Sequence, residues 1–104
     1  MVEITDLSLR PEFITLKIQN ICRSVDRVDL SQALEKDSPL PIANSAIFLF
    51  LESPTIENGP YRDGNGNICC TLHKMVAGRQ IYLSLAIRRV KNVEIIEVLK
   101  IEEG

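Results

Sequence analysis

One histidine, two tyrosines and a group of cations are the residues here whose types could do chemistry. His73 is the only histidine. Its ordinary pKa lies near neutrality, so it suits a general acid or base. As a lone histidine on a strand it equally suits a structural, hydrogen-bonded role. Arg88, Arg89 and Lys91 cluster before the last apolar segment. Cations converging at one end of a sheet could hold a phosphate and stabilise charge developing on it. The bland alternative is a solvated turn, with Glu94, Glu97, Glu102 and Glu103 partly neutralising it. Tyr61 and Tyr82 are the only tyrosines, and each could stack on a base, although the chain has 5% aromatics and no RNP-like pattern. Arg62 follows Tyr61 in a polar, Gly-rich stretch and is a further phosphate contact candidate.

Other chemistries find little support. The three cysteines, Cys22, Cys69 and Cys70, form no CxxC and have no Cys/His spacing suited to zinc. Cys69 and Cys70 point to opposite faces of a strand and pair badly. They read as buried, reduced thiols in a reducing, cytoplasmic setting. Cys69 shares a face with His73 but lies roughly 13 Å away, too far for direct contact. GPYRDGNGN is neither GxGxxG nor a P-loop. Asp63-Gly-Asn-Gly-Asn67 superficially resembles a calcium loop, but Ile68 and Lys74 stand where that loop needs Gly and Glu. Turn chemistry explains it better. No metal or cofactor is expected.

Composition sets bounds. A chain of 104 residues fits one domain, residues 1–104. The apolar share of 45% and charged share of 25% are an ordinary globular balance. A formal net charge of −2 excludes a global field drawing the protein onto nucleic acid or an anionic membrane, while allowing a local basic patch. MVEITDLSLRPEF lacks the basic start and apolar core of a signal peptide. The longest apolar run, Ala46–Leu51, is too short to span a bilayer, so no membrane association is expected.

The elements that must position these residues centre on Ile68–Glu102. In Arg79–Arg89, Ile81, Leu83, Leu85 and Ile87 share one face, as in a strand with one face in the core. Ile68–Val76 repeats the pattern less cleanly. A two-residue turn at Ala77-Gly78 pairs Val76 with Arg79, Leu72 with Leu83, Cys70 with Leu85 and His73 with Tyr82. Arg79 then lies roughly 30 Å from Arg88, at the other end of the sheet. Val93–Ile101 is rich in Val and Ile and reads as an antiparallel strand, with Ile95, Leu99 and Ile101 on one side and Ile96 and Val98 on the other.

Before the sheet, Pro11 suits a first helical turn, and Ile14, Ile18, Ile21, Cys22, Val25 and Val28 form a helical stripe over Phe13–Val28. Strand alternation at Ile14–Gln19 is the rival pattern and stops at Asn20. Asp29 and Gln32 resemble a capping box opening a short helix through Lys36. Ala46–Leu51, apolar on both faces, reads as a central strand. Ser53–Asn67 reads as a long loop, functional or mobile. The expected fold is α+β, with two N-terminal helices packed on one face of a four-stranded, mostly antiparallel sheet.

This order resembles the small RNases grouped as barnase, EndoU, colicin and RelE-like folds. Pro41–Ser53 (PIANSAIFLFLES), the polar loop and the strands Ile68–Ile87 carry the resemblance, which covers roughly Leu34–Ile101. It implies metal-independent RNA cleavage by acid-base chemistry. His73 would be the acid or base, with Tyr82 beside it and Arg88 or Arg62 on the phosphate. Element order alone does not establish activity. Without a catalytic signature, the first expectation is a small intracellular interaction or regulatory protein, bound to a protein partner or to copies of itself through exposed strand edges. A toxin-like or phage-associated RNase is the alternative, and RNA a candidate partner. A small-molecule binder using the long loop as a lid is a third reading, carried by loop length alone.

Overall fold

The computed structural model describes residues 9–30 and 44–104. Helix α1 spans Pro11–Cys22, with Pro at its start where the missing N–H removes no helical bond. Ile14, Ile18, Ile21 and Cys22 are buried, which is the expected stripe. The helix is shorter than its apolar stripe suggests. Ser24 N–H donates to the Ile21 carbonyl, and a three-residue 3-10 turn, Val25–Arg27, follows. Val28–Asp29 then forms a short strand, β1, pairing in parallel with the sheet. Asp29 ends this strand; the expected helix from Asp29 through Lys36 falls largely on residues 31–36, which lie outside the described residues.

Helix α2 spans Asn44–Glu52 and replaces the expected strand at Ala46–Leu51. Ile47, Phe50 and Leu51 are buried while Leu49 is 58% exposed, a helical spacing of burial. An unbroken apolar run does not by itself distinguish a buried strand from a helix segment.

Among the described residues the sheet has five strands, in the order β1-β5-β4-β3-β2. Strands β2 (Ile56–Arg62), β3 (Ile68–Val76), β4 (Arg79–Val90) and β5 (Val93–Glu103) form an antiparallel meander, and β1 alone runs parallel, against β5. The sheet is thus mixed and five-stranded rather than four-stranded; the α+β class stands. β2 occupies half of the segment expected as loop. Its register shifts twice against β3, and its run IENGPYR carries no alternation to signal a strand.

The β3–β4 register is Val76↔Arg79, Leu72↔Leu83, Cys70↔Leu85 and His73↔Tyr82, as the sequence indicates. Both tight turns have two left-handed residues, Ala77-Gly78 at φ 52° and 78° and Lys91-Asn92 at φ 51° and 66°. That is the type I′ geometry whose twist matches the strands it joins. In β5, Val98 pairs with Leu85 and Lys100 with Ser84, leaving Leu99 as an extra residue in a bulge. The bulge resets alternation. Ile96, Val98 and Ile101 therefore join the core side, correcting the expected grouping of Ile101 with Ile95.

One apolar cluster lies between the helices and the sheet. Ile14, Ile18, Ile21, Ile47, Phe50 and Leu51 pack against Leu72, Leu83, Leu85, Ile87, Ile96 and Val98. On the opposite face, Thr71 and Ser84 hydroxyls lie 3.2 Å apart and the His73 and Tyr82 rings lie 4.9 Å apart. No helix among the described residues is long and apolar enough to cross a membrane.

Candidate nucleic-acid interface

Two turns meet at one end of the sheet. Arg62 pairs with Ile68, and Ile68 pairs with Ile87, so the β2–β3 loop and the end of β4 are neighbours. A cleft of about 460 Å³ opens there, lined by Arg62, the Asn65-Gly66-Asn67 loop, Arg88, Arg89, and Lys17 with Glu94.

Asp63 builds the loop wall. Its Oδ1 accepts the backbone N–H groups of Asn65 and Asn67, each at 2.9 Å. The Asn67 N–H is the larger cause holding the Asp63 carboxyl below the usual carboxylate range. The Gly66 N–H donates to the Asp63 carbonyl, and Arg62 Nη1 donates to the Gly66 carbonyl at 3.0 Å. These amides are spent inside the loop, so any anion in the cleft must be held by side chains. The turn chemistry expected of this stretch is what the loop uses.

The opposite wall comes from α1 and β5. Lys17 Nζ donates to Glu94 Oε2 at 2.8 Å and sits 5.4 Å from the Phe13 ring centroid. Arg27 Nε donates to the Glu94 carbonyl at 2.9 Å. Neither Lys17 nor Glu94 stands out in the sequence as a site residue, because their contact spans 77 positions.

Adjacent arginines diverge. Arg89 continues the core-side row of Ile87 beyond the core, is exposed, and has no ion-pair partner among the described residues. Arg88 stands on the open face, where its Nη2 meets Glu97 Oε2 at 3.2 Å. Arg88 Nε is enclosed without a hydrogen-bond partner among the described residues. Lys91 lies in the exposed turn just beyond the cleft.

His73 and Tyr82 belong elsewhere. Arg88 is six residues along β4 from Tyr82, or about 20 Å away. The His73 and Tyr82 rings pack on one another, the Tyr82 hydroxyl donates to Gln80 Oε1 at 3.2 Å, and His73 Nε2 is enclosed without a partner among the described residues. The acid-base pair and the arginines therefore do not form one constellation. Tyr61, by contrast, stands beside Arg62, pairs with Cys69, and is 53% exposed.

The thiols are poorly placed for nucleophilic chemistry. All three are free and buried. Burial pushes Cys70 up to about 12, and Cys69 nearby adds to the shift. Burial also raises Cys69, helped by Asp63, and Cys22, helped by Glu52. Among the described residues, no group of three or more His, Cys, Asp or Glu side chains is placed to hold a metal ion.

No protein-family model, curated protein or solved structure matches the chain.

Proposed function

We propose that this chain is a small cytoplasmic interaction protein whose basic cleft takes a phosphate-bearing partner, with RNA the polymer that suits it. One observation carries this: Arg62 and Arg89, from different hairpins, line a single cleft in which Arg89 has no ion-pair partner among the described residues. Guanidinium groups match phosphate geometry, and Arg89 gives up no existing ion pair to bind one. The net charge of −2 makes attraction local to this end of the molecule. Unpaired, buried thiols agree with a reducing compartment.

The separation of His73 from Arg88 weighs against the cleavage chemistry implied by the resemblance to small RNases. An acid or base assists only within hydrogen-bond reach of the proton it moves.

Self-association is a second reading, favoured by β2, which among the described residues ends the sheet order and so leaves an outer edge. Its two register shifts and Pro60 blunt that edge. Sedimentation as a single monomeric species across a wide concentration range would remove this reading.

The test of RNA binding is fluorescence anisotropy with a labelled oligouridylate at rising salt. Affinity should fall steeply, because each neutralised phosphate releases counterions, and the combined Arg62→Ala and Arg89→Ala variant should flatten the slope by about 0.7 for each lost contact. Salt-independent binding, or none at low salt, would return the cluster to a solvated turn.

A further inference from the structure

We infer that the cleft selects single-stranded over double-stranded nucleic acid, with Tyr61 as the platform on which an unpaired base stacks; this rests on the phosphate-binding role of the cleft proposed above. Tyr61 is the neighbour of Arg62, yet alternation along β2 places its ring on the open face of the sheet, in the row of Cys69 and Ala86. Tyr61 itself is 53% exposed, so its ring is accessible to a partner; the row continues across Ala86 to Glu97. Arg88 shares this face, about 12 Å from Tyr61 between backbone positions, at two strand spacings across and two residues along. Arg88 also borders the cleft. The sheet end thus offers cations on one side, an arginine at the rim, and an exposed aromatic ring past it.

The charges near the ring set which part of a nucleotide can lie there. Glu97 is engaged by Arg88, and Asp63 by its loop amides. Two carboxylates thus stand on the Tyr61 side and disfavour a phosphate there. A neutral base face is tolerated there, while phosphates remain with Arg62 and Arg89. A polymer satisfying both must turn a base away from its backbone, which a single strand does at little cost and a stacked duplex does not. The same arrangement accepts RNA or DNA single strands.

The experiment compares a 12-nucleotide oligouridylate, the matching oligothymidylate and a mixed-sequence 12-base-pair RNA duplex, all against the full chain. With no tryptophan present, intrinsic emission comes from Tyr61 and Tyr82 alone. Both single strands should bind about tenfold or more tightly than the duplex and quench tyrosine emission. Tyr61→Ala should lose about tenfold in single-strand affinity with an unchanged salt slope, Tyr61→Phe should restore it, and Tyr82→Phe should retain the quenching. Equal binding of duplex and single strand, or an unchanged Tyr61→Ala affinity, overturns the stacking role while leaving the salt-dependent phosphate site standing. Absence of binding to all three probes overturns both. A thermal melt of each variant separates loss of fold from loss of contact.

Discussion

Lys17 on α1 and Glu94 at the start of β5 form an ion pair of 2.8 Å that ties helix to sheet at the mouth of the cleft. Both side chains are about three-quarters withdrawn from solvent, at 21% and 27% exposure. Among the described residues, Glu94 also places the only carboxylate lining the cleft. Its replacement should therefore act in opposite directions on stability and on binding.

Glu94→Gln should lower stability by about 1 kcal/mol, because it breaks a partly buried pair while keeping the shape of the side chain. It should also raise affinity for an oligouridylate and steepen its salt dependence, since Lys17 becomes available and a repelling charge is gone. Denaturant melts and salt-titrated anisotropy on the same variant read the two effects separately. A drop in both stability and affinity would mean that Glu94 chiefly shapes the cleft.

The core side of β4 carries the next expectation. Leu85 is fully buried opposite Val98, and Leu85→Ala should cost about 2–5 kcal/mol through lost transfer energy and the cavity left behind. Leu99, the extra residue of the bulge, is only half-buried and stands outside the core cluster, so Leu99→Ala should cost less than about 1 kcal/mol. Chemical denaturation of both variants checks the contrast. Equal costs would contradict the bulge that sends Ile96, Val98 and Ile101 together to the core.

That bulge also explains which parts of the molecule were legible in the sequence. The β3–β4 hairpin was readable because Ile81, Leu83, Leu85 and Ile87 alternate without interruption and Ala77-Gly78 closes the strands in a two-residue turn. β5 was readable as a strand, but not by face, since one extra residue reverses every later side chain. Ala46–Leu51 misled because its apolar residues fill both faces, leaving no period to separate helix from strand. β2 was hidden by Gly59 and Pro60, residues that ordinarily end strands. Gly59 is tolerated because its φ of +92° and a close approach to the Cys69 carbonyl, 3.0 Å from where a Cβ would stand, both require glycine. At the site, the Arg88-Arg89 cluster and Arg62 were visible as candidates. Their convergence with Lys17 was not, because it depends on packing between residues 77 positions apart.

Asp63 makes the loop sensitive to acid. Its folded pKa is depressed by the N–H groups of Asn67 and Asn65, so its contribution to stability is complete above the ordinary carboxylate value and is lost as pH falls through the folded value. The loop amides of Asn65 and Asn67 should therefore stay unshifted in NMR spectra from neutrality down through the ordinary carboxylate range and move together only below it. Asp63→Ala should abolish that acid transition and loosen the loop at neutral pH, whereas a transition near neutrality would assign loop order to some other group.

The thiols should resist modification in the folded state. Cys70, raised to about 12 by burial, holds almost no thiolate at pH 8, and Cys22 and Cys69 are raised and buried as well. Ellman's reagent should read no fast thiol in the native protein and all three after addition of denaturant. One equivalent of rapid native reaction would identify an opening of the sheet or helix around that cysteine.

Arg88 and Arg89 should fail differently when each is truncated. Arg89 is exposed and pairs with no carboxylate among the described residues, so Arg89→Ala should leave stability within about 0.5 kcal/mol and lower the salt slope of RNA binding by about 0.7. Arg88 instead meets Glu97, whose side chain is only 12% exposed. Removing the arginine withdraws an ion-pair partner from a largely enclosed carboxylate, at a cost of about 1–3 kcal/mol. Arg88→Ala should accordingly lower the melting temperature, and pairing it with Glu97→Gln should recover part of the loss by removing the charge left behind. The double-mutant cycle on stability, run beside the salt titrations, separates the two roles. Equal stability loss from either arginine would contradict their placement on opposite faces of β4, and an unchanged salt slope for Arg89→Ala would remove it from the phosphate site.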